Sequence, residues 1–235
     1  MASVVANVAA NSGISIIVPI FNEAAQLPAL IDHLRGWHAR GCEVILVNGG
    51  STDGSADLAG SVPFKLLQAR TGRALQMNVG AEAASGDVLV FLHADTRLPA
   101  DADTLIIDAL ASGLHTWGRF DVRISGRSGA LALVASMMNL RSWLTGIATG
   151  DQAMFMSKQV FFELDGFPDQ PLMEDVELSK RLRRISRPAC IRSRAVTSGR
   201  RWETRGILRT IALMWQLRWS YWRGVDATCL AERYR

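Results

Sequence analysis

Residues 87–95 read Asp87-Val88-Leu89-Val90-Phe91-Leu92-His93-Ala94-Asp95, an apolar run that ends in two polar side chains. A short apolar run of this kind is typical of a strand that is buried on both faces of a sheet. Polar residues just past such a strand lie at the sheet edge where α/β proteins bind ligands. The segment therefore predicts a central strand that delivers His93 and Asp95 to a binding site.

Strand and helix patterns alternate on the amino-terminal side of this segment. The β-branched and apolar runs at Ile14 to Val18, Glu43 to Val47 and Phe64 to Leu67 predict three further strands. Helical spacing of apolar residues separates them, as in the stretch from Arg73 to Ala84. We therefore expect an α/β fold in a single domain, with a mostly parallel sheet and helices on both of its faces.

Length and composition limit the class of protein. The chain has 235 residues and a net charge of +4, enough for one well-buried domain with a mild basic excess. Nucleic acid, an anionic membrane or a phosphorylated substrate could each explain that excess, but no nucleic-acid-binding motif is present, so we expect no nucleic-acid partner.

Cys42, Cys190 and Cys229 are too scattered for disulfides or a metal site. With no leader pattern in Met1 to Gly13 and no membrane-spanning run, we expect a cytoplasmic protein.

One carboxylate at the predicted sheet edge suggests a metal site. Asp95 could hold a divalent cation against two phosphates, because Mg²⁺ keeps several waters and needs few protein ligands. His93 lies two residues earlier and could assist. The structural alternative is that Asp95 merely caps a turn before Pro99.

Three other segments carry side chains suited to chemistry. The Asn48 to Ser55 loop is rich in glycine and could approach a nucleotide closely, or be a simple turn. Glu174 and Asp175 begin a predicted helix, where a carboxylate could act as a general base kept ionised by the helix N-terminus, or merely cap the helix. Arg200-Arg201-Trp202 could neutralise a diphosphate and stack on a sugar, or form a surface salt-bridge cluster.

These segments together, in this order, resemble the family 2 glycosyltransferases with the GT-A fold. The resemblance runs from about Ile14 to Arg187. The matching strings are Pro19-Ile20-Phe21-Asn22-Glu23, Gly50-Ser51-Thr52-Asp53-Gly54-Ser55, Phe91-Leu92-His93-Ala94-Asp95, Asp165-Gly166-Phe167 and Glu174-Asp175-Val176-Glu177-Leu178.

The resemblance implies an inverting transfer of a sugar from a nucleotide-sugar donor to an acceptor hydroxyl, with a divalent cation, Mn²⁺ or Mg²⁺. We expect a flexible N-terminus at 1–13 and a transferase domain at 14–235. The domain is expected to consist of a nucleotide-binding half (14–100), an acceptor half (101–200) and a C-terminal amphipathic helix region (201–235). The residues implied for nucleotide binding are Pro19, Phe21, Glu23, Asn48, Gly49, Asp53 and Arg73. Those implied for the metal are Asp95 and His93, and those for catalysis are Asp175, as the base, and Glu174. The resemblance implies Asp151 and Gln152 for the acceptor site. From their chemistry we expect Arg200, Arg201 and Trp202 to serve the diphosphate or the acceptor.

The chain departs from the common family pattern in two places. Asn48-Gly49 stands where the family usually has one or two acids, which puts the usual uridine preference in doubt. His93 replaces the first acid of the D-x-D motif, and histidine suits Mn²⁺ better than Mg²⁺. Both variants resemble a compact bacterial subgroup described as arsenosugar-biosynthesis glycosyltransferases. They also leave open a non-catalytic sugar-nucleotide-binding partner or sensor, whereas a nucleotidyltransferase would need a basic Gly-rich loop that is missing here.

The C-terminal region predicts an amphipathic helix with an aromatic face. Its apolar residues recur at helical spacing and are Leu208, Ile211, Ala212, Trp215, Trp219 and Trp222. Two interpretations are open. The face packs against the domain or a second subunit in a homodimer, which is the more usual arrangement, or it rests on the inner membrane as a peripheral contact.

Overall fold

The computed structural model describes residues 13–234, so the predicted flexible segment 1–13 lies outside the described residues except for Gly13. The first half alternates strand and helix: β1 (Ile14–Ile20), α1 (Leu27–Ala39), β2 (Glu43–Asn48), α2 (Ser55–Gly60), β3 (Lys65–Gln68), α3 (Arg73–Ala83) and β4 (Val88–Phe91). The second half has β5 (Thr96–Arg97), α4 (Ala102–Ala111), β6 (Trp117–Ser125), α5 (Ala130–Thr145), a 3₁₀ turn (Gly150–Gln152), β7 (Met154–Ser157), α6 (Lys158–Glu163), α7 (Glu174–Leu182), β8 (Ala189–Ser198), α8 (Arg200–Arg205), α9 (Ile207–Trp222) and α10 (Ala227–Tyr234).

One eight-stranded sheet runs through the molecule in the order β3-β2-β1-β4-β7-β6-β8-β5. The first four strands in this order are parallel, as the alternation of strand and helix predicts. The sheet is mixed beyond them, because β7 is antiparallel to both β4 and β6, and β5 is antiparallel to β8. The α/β class and the single domain are confirmed, with the parallel arrangement strongest in the first half.

Both faces of the sheet are covered. In β1, Ile16 packs into a core with α1 and α4, whereas the next residue, Ile17, packs into a second core with α3 and α6. Successive side chains of a strand point to opposite faces, so a strand between two cores must be apolar at every position. This explains the unbroken apolar runs of β1 and β4.

The long strand β8 was not predicted from the sequence. It pairs in parallel with β6, and the register shifts between Phe120 and Asp121, where two residues of β8 bulge out of the pairing. That bulge interrupts the alternation of apolar and polar residues, and exposed Arg192 and Arg194 made the segment resemble a solvated basic stretch. The strand ends at Ser198 and so brings α8 to the same edge as the end of β4.

The prediction that the aromatic face of the C-terminal helix packs on the domain is wrong for its three tryptophans, although Ile211 of the same face packs against residues of β6 and α5. In α9, Thr210 and Leu217 are buried, and Leu217 packs with residues of α7 and α10. The side chains of Trp215, Trp219 and Trp222 are 67%, 59% and 72% exposed. The apolar stripe of α9 that packs on the domain is therefore narrower than the sequence pattern predicts, because the three tryptophans lie on the side of the helix that faces away from the core. Packing of that face on a second subunit stays a prediction.

No helix among residues 13–234 is both long and apolar enough to cross a membrane. The three cysteines are free, as expected.

Candidate functional site

A cavity of about 1110 Å³ opens where β1 and β4 end and extends between α5 and α9. Side chains from many separate elements converge there, because the strands end and the helices that follow them begin at one edge of the sheet. The predicted site residues that line this cavity are Pro19, Glu23, Arg73, His93, Asp95, Asp151, Glu174, Asp175, Arg200, Arg201 and Trp202.

His93, Asp95 and Asp151 form a group that could hold a metal ion, since one ligating atom from each lies within 4.8 Å of the others. His93 and Asp95 follow β4, whereas Asp151 comes from the 3₁₀ turn before β7. Nδ1 of His93 lies 3.3 Å from Oδ1 of Asp151. Burial opposes ionisation of Asp151, but the contact with His93 and the charge of Arg73 hold its pKa below the ordinary value. The sequence predicted that His93 and Asp95 hold the metal, and the structure adds a third residue, Asp151, as the second carboxylate of the group.

The turn that carries Asp151 is fixed from within. Thr149 begins it, and the backbone N–H of Thr149 donates to Oε1 of Gln152. Gln152 is fully buried and does not line the cavity, so its predicted contact with a substrate is replaced by a role in bracing the turn. Gly150 packs directly against the imidazole of His93 and leaves no space for a Cβ atom.

Glu174 and Asp175 start α7 but neither is its N-cap. Met173 occupies that position with a φ of 65°, a left-handed conformation that turns Glu174 into the protein, where it is 3% exposed. Nη1 of Arg73 lies 3.5 Å from Oε1 of Glu174. Oδ2 of Asp175 accepts a 2.9 Å hydrogen bond from the backbone N–H of Gly150. The capping alternative is therefore wrong for both residues as observed.

The electrostatics of Asp175 differ from the sequence-based expectation. Burial, and next the charge of Glu174, raises the pKa of Asp175 to about 6, and the Gly150 hydrogen bond and Arg73 only partly oppose this. The position of Asp175 at a helix N-terminus predicts an acidic group, but desolvation by burial has the larger effect on its pKa. A carboxylate with a pKa near 6 remains mostly ionised at neutral pH and is a competent proton acceptor.

The glycine-rich loop after β2 is tied to the loop after β1. Asp53 accepts hydrogen bonds from the backbone N–H of Ala24 at 2.9 Å and, through its other oxygen, from Ser55. These bonds, led by that of Ser55, lower the pKa of Asp53. Ser55 also receives the N–H of Glu23, whose own pKa is raised by burial and by Asp95. The predicted nucleotide residue Asp53 thus positions Glu23 at the cavity.

Three other predicted nucleotide residues do not line the cavity. Asn48 is buried, donates to Oε1 of Gln68 at 2.8 Å and accepts from the backbone N–H of Ser51, so its side chain braces its own loop. A Cβ atom at Gly49 would lie 2.9 Å from the side chain of Gln76. Phe21 is exposed on the surface.

Three arginines that line the cavity were not among the predicted site residues: Arg141, Arg205 and Arg218. Arg141 lies in α5, and its Nε and Nη2 atoms are buried without a hydrogen-bond partner among residues 13–234. Burial lowers the pKa of this guanidinium, and the nearby charges of Asp175 and Asp151 oppose that effect. The signal for Arg141 in the sequence is a single arginine within the apolar helical run 130–145.

Solved structures show the same fold. A mannosyltransferase from Pyrobaculum calidifontis, in complex with GDP-Man and Mn²⁺, superposes with a TM-score of 0.57 and 23% identity over 79% of this chain and 56% of that chain. Residues 1–349 of S. aureus TarS, in complex with UDP-GlcNAc, give a TM-score of 0.65 and 16% identity over 79% of this chain and 58% of that chain. The fold is therefore of the GT-A type.

The family follows from the sequence comparison. The model of glycosyl transferase family 2 matches residues 15–158, which is more than half of the chain, and the chain belongs to that family.

Two curated relatives each match less than half of this chain. An undecaprenyl-phosphate 4-deoxy-4-formamido-L-arabinose transferase of Aeromonas hydrophila is 31% identical over 116 residues, which cover 45% of this chain and 36% of the relative. A PGL/p-HBAD biosynthesis glycosyltransferase of Mycobacterium bovis is 38% identical over 108 residues, covering 43% of this chain and 42% of the relative. The match thus spans less than half of each relative.

Proposed function

We propose that this chain transfers a sugar from a nucleotide-sugar donor to an acceptor hydroxyl group, with a divalent cation held by His93, Asp95 and Asp151. The observation that supports the proposal is the pair of adjacent residues Gly150 and Asp151. Asp151 belongs to the group that could hold a metal ion, and the backbone N–H of Gly150 hydrogen-bonds the carboxylate of Asp175. The cation site and the candidate base are thus held at one cavity, in a member of glycosyl transferase family 2.

The donor set fits a cation with an affinity for both nitrogen and oxygen. One imidazole and two carboxylates suit Mn²⁺ better than Mg²⁺, which prefers an all-oxygen environment. The Pyrobaculum calidifontis neighbour contains Mn²⁺ with GDP-Man, which supports the same choice here. A cation bound at this group would offset the negative charge of the donor diphosphate.

The remaining residues have separate roles in the proposed transfer. Asp175 accepts the proton of the acceptor hydroxyl as its oxygen attacks the anomeric carbon, and the bond to the diphosphate breaks in the same displacement, which inverts the anomeric centre. Arg200 and Arg201 lie in the same cavity and offset the charge on the departing diphosphate. Glu174 acts on Asp175 as a positioning residue, because its charge helps to raise the pKa of the base.

A direct binding screen can identify the nucleobase of the donor. Asn48 and Gly49 lack the carboxylate that is usual at this position in the family, and Gln76 fills the space beside Gly49. The Gln76 amide is itself engaged, since Nε2 donates to the carbonyl oxygens of Ile20 and Val47. We therefore expect no fixed preference for uridine.

A thermal-shift and calorimetric screen tests the proposal. It would use GDP, UDP and ADP with their mannose, N-acetylglucosamine and glucose derivatives, each with Mn²⁺, with Mg²⁺ and with EDTA. We expect one nucleotide to stabilise the wild type in a metal-dependent manner, and Asp95→Ala and Asp151→Ala to lose that stabilisation. Asp57→Ala, an exposed acid of α2, is the matched control.

The outcomes separate the candidate functions. Metal-dependent binding followed by release of nucleoside diphosphate from the sugar nucleotide supports the transferase. Metal-dependent binding without turnover, under any acceptor, would instead favour a sugar-nucleotide-binding partner or sensor. Failure of every nucleotide to bind would overturn the proposal.

A further inference from the structure

Two helices carry most of the large apolar side chains that the described part of the chain exposes. Among residues 13–234, fourteen large hydrophobic residues are exposed, and five of them lie in α5 and four in α9. Exposed apolar residues are normal when they are scattered singly, whereas a contiguous patch marks a binding surface. The concentration of these residues in two helices therefore indicates a surface with a partner.

The exposed residues of α5 form one face of that helix. Leu133, Met137, Leu140 and Leu144 follow one another at intervals of four, three and four residues, which is the spacing of a single helix face. The opposite side of α5 is held on the protein, because Leu131 packs in a core cluster with residues of β6. α5 thus presents a row of apolar side chains to solvent while its other side is anchored.

α9 presents a second row beside the first. Leu208, Trp215, Trp219 and Trp222 are exposed and follow one another at intervals of seven, four and three residues. Ile211 of α9 packs in the same cluster as the anchored side of α5, so the two helices are neighbours. Six of the nine exposed residues, three from each helix, also line one cavity. The two rows therefore form one continuous apolar surface.

The sequence around this surface is basic. Residues 122–150 and 204–225, which contain α5 and α9, hold seven arginines and no other charged residue. The whole chain has a net charge of +4, so the remaining residues carry a net charge of −3. On α9, Arg218 and the C-terminal residue Arg223 flank the aromatic face, each about 70° from its centre at 3.6 residues per turn. A tryptophan-rich face with arginines on both sides is typical of a helix that lies in a membrane interface.

We propose that α5 and α9 dock the protein on the surface of an anionic lipid bilayer, with their exposed faces between the headgroups and the acyl chains. An apolar helix face enters this region by about 5–10 Å. The arginines beside it extend their apolar stems along the same region and keep their charges among the anionic headgroups. Because the opposite sides of both helices pack on the domain, the helices lie along the plane of the bilayer.

A second copy of the chain fits this surface less well. A twofold dimer places the same surface of each copy against the other. The seven arginines of one copy would then approach the seven of the other, and neither segment supplies an acid to offset them. Like charges brought together in an interface are unfavourable, whereas anionic lipids neutralise each arginine.

The docked orientation directs the cavity towards the bilayer. Met137 and Leu144 of α5 and Trp215 and Trp219 of α9 belong both to the exposed surface and to the lining of the cavity. The bilayer therefore covers the apolar end of the cavity, while Asp175 and the metal group lie at its polar end. This docking goes beyond the proposed transfer and does not depend on the identity of the acceptor.

Flotation of the full chain with lipid vesicles tests the docking. We expect binding to vesicles of mixed phosphatidylcholine and phosphatidylglycerol, weaker binding to phosphatidylcholine alone, and a loss of the difference at high salt, which screens the arginines. The tryptophan fluorescence of the bound protein should shift to shorter wavelength and be quenched by lipids that are brominated in their acyl chains. A protein held by charge alone would show neither change.

Two leucine variants test the apolar face. Leu208→Glu places a carboxylate on the exposed face of α9 and should weaken binding to the mixed vesicles at least about tenfold, because it removes an apolar contact and repels the anionic lipids. Leu58→Glu is the matched control, since Leu58 is an exposed leucine of α2 and the change in net charge is the same. It should bind nearly as the wild type does. Melting temperatures would show that both variants fold.

Two arginine variants test the basic flank. Arg223→Gln should weaken binding to the mixed vesicles about fivefold and leave the weak binding to phosphatidylcholine unchanged, as expected for one arginine near an anionic surface. Arg35→Gln removes an exposed arginine of α1 and should have little effect.

Three results would overturn the inference. The first is a wild type that does not bind the mixed vesicles at low salt. The second is an equal loss of binding in the members of either pair, Leu208→Glu with Leu58→Glu or Arg223→Gln with Arg35→Gln, which would show attraction by net charge alone. The third is a dimer in analytical ultracentrifugation that Leu208→Glu dissociates, without vesicle binding, which would assign the surface to a second copy.

The nucleotide screen keeps this inference separate from the proposed function. If the wild type binds metal and nucleotide but no vesicle, the docking is wrong and the transferase stands. If it binds vesicles with the expected pattern but no nucleotide, the docking stands and the proposed function fails.

Discussion

The backbone N–H of Gly150 donates a 2.9 Å hydrogen bond to Oδ2 of Asp175, and the neighbouring residue Asp151 belongs to the metal group. A single turn therefore connects the candidate base with the candidate cation site. Gly150 also packs against the imidazole of His93. A displacement of this turn would move the candidate base and two of the three candidate metal ligands, His93 and Asp151, together.

Gly150→Ala tests this connection. The added methyl group would overlap the imidazole ring of His93, so either the turn or the ring must move. We expect Mn²⁺-dependent stabilisation by nucleotide to be lost and release of nucleoside diphosphate to fall at least about a hundredfold, as for other displaced catalytic groups. Thermal shift and a coupled assay for the nucleoside diphosphate would measure both.

Gly36→Ala is the control for that variant. Gly36 lies in α1, where a Cβ atom would meet no other atom within 4 Å. Alanine is the better helix former by about 0.5–1 kcal/mol, so this variant should be slightly more stable and fully active. Normal metal binding in Gly150→Ala would show that the close packing on His93 has no functional consequence.

Asp175→Asn separates function from stability. The amide cannot accept a proton, and loss of a general base typically slows a reaction about 10²–10⁴-fold. The buried charge beside Glu174 is also unfavourable for folding at neutral pH, as its raised pKa shows, so the variant should melt at or above the temperature of the wild type. Steady-state kinetics and differential scanning calorimetry would measure the two effects. Full activity in Asp175→Asn would remove this residue from the mechanism.

The pH profile follows from the same carboxyl group. Its pKa of about 6 means that the fraction able to accept a proton falls tenfold for each pH unit well below 6. We expect kcat/KM for the sugar nucleotide to decline with a slope of about one below that pH. The groups that act on Asp175 are Glu174, which raises its pKa, and Arg73 and Arg141, which favour its ionised form.

Unfolding does not explain such a decline. A carboxyl group with a raised pKa in the folded state destabilises the protein when it is ionised, so its contribution to stability improves as the pH falls through 6. Circular dichroism between pH 5 and 8 should therefore show an intact fold while the rate falls. A flat rate profile over the same range would contradict the assignment of Asp175 as the base.

The sequence was most informative where one local pattern decides the structure. The apolar runs of β1 and β4 identify strands between two cores, and His93 and Asp95 follow from the end of β4. Long-range pairing was harder to predict. The bulge of β8 against β6 breaks the period of its sequence, and Asp151 joins His93 only because β7 lies antiparallel to β4.

Properties that depend on burial were not predicted. Helix position alone indicated an acidic Asp175, but desolvation by the surrounding protein reverses the direction of the pKa shift. Likewise, helical spacing identified the aromatic face of α9 without showing whether it is covered. Gln152 and Asn48 are polar residues in loops, yet both are buried and brace their own turns, which single-sequence patterns do not distinguish from ligand contacts.

The pair of Arg73 and Glu174 gives the last prediction. Glu174 is buried and forms an ion pair with Arg73, in which Oε1 of Glu174 lies 3.5 Å from Nη1 of Arg73. The side chain of Arg73 is half-exposed. Arg73→Ala should leave a buried carboxylate unpaired and destabilise the protein by about 1–2 kcal/mol, less than for a fully buried pair because solvent already screens the arginine. Glu174→Gln removes the charge and should be better tolerated. The double variant should therefore recover part of the stability lost in Arg73→Ala, as measured by urea unfolding in a double-mutant cycle. If the two losses simply add, the two side chains do not interact, and the positive charge of Arg73 serves the donor alone.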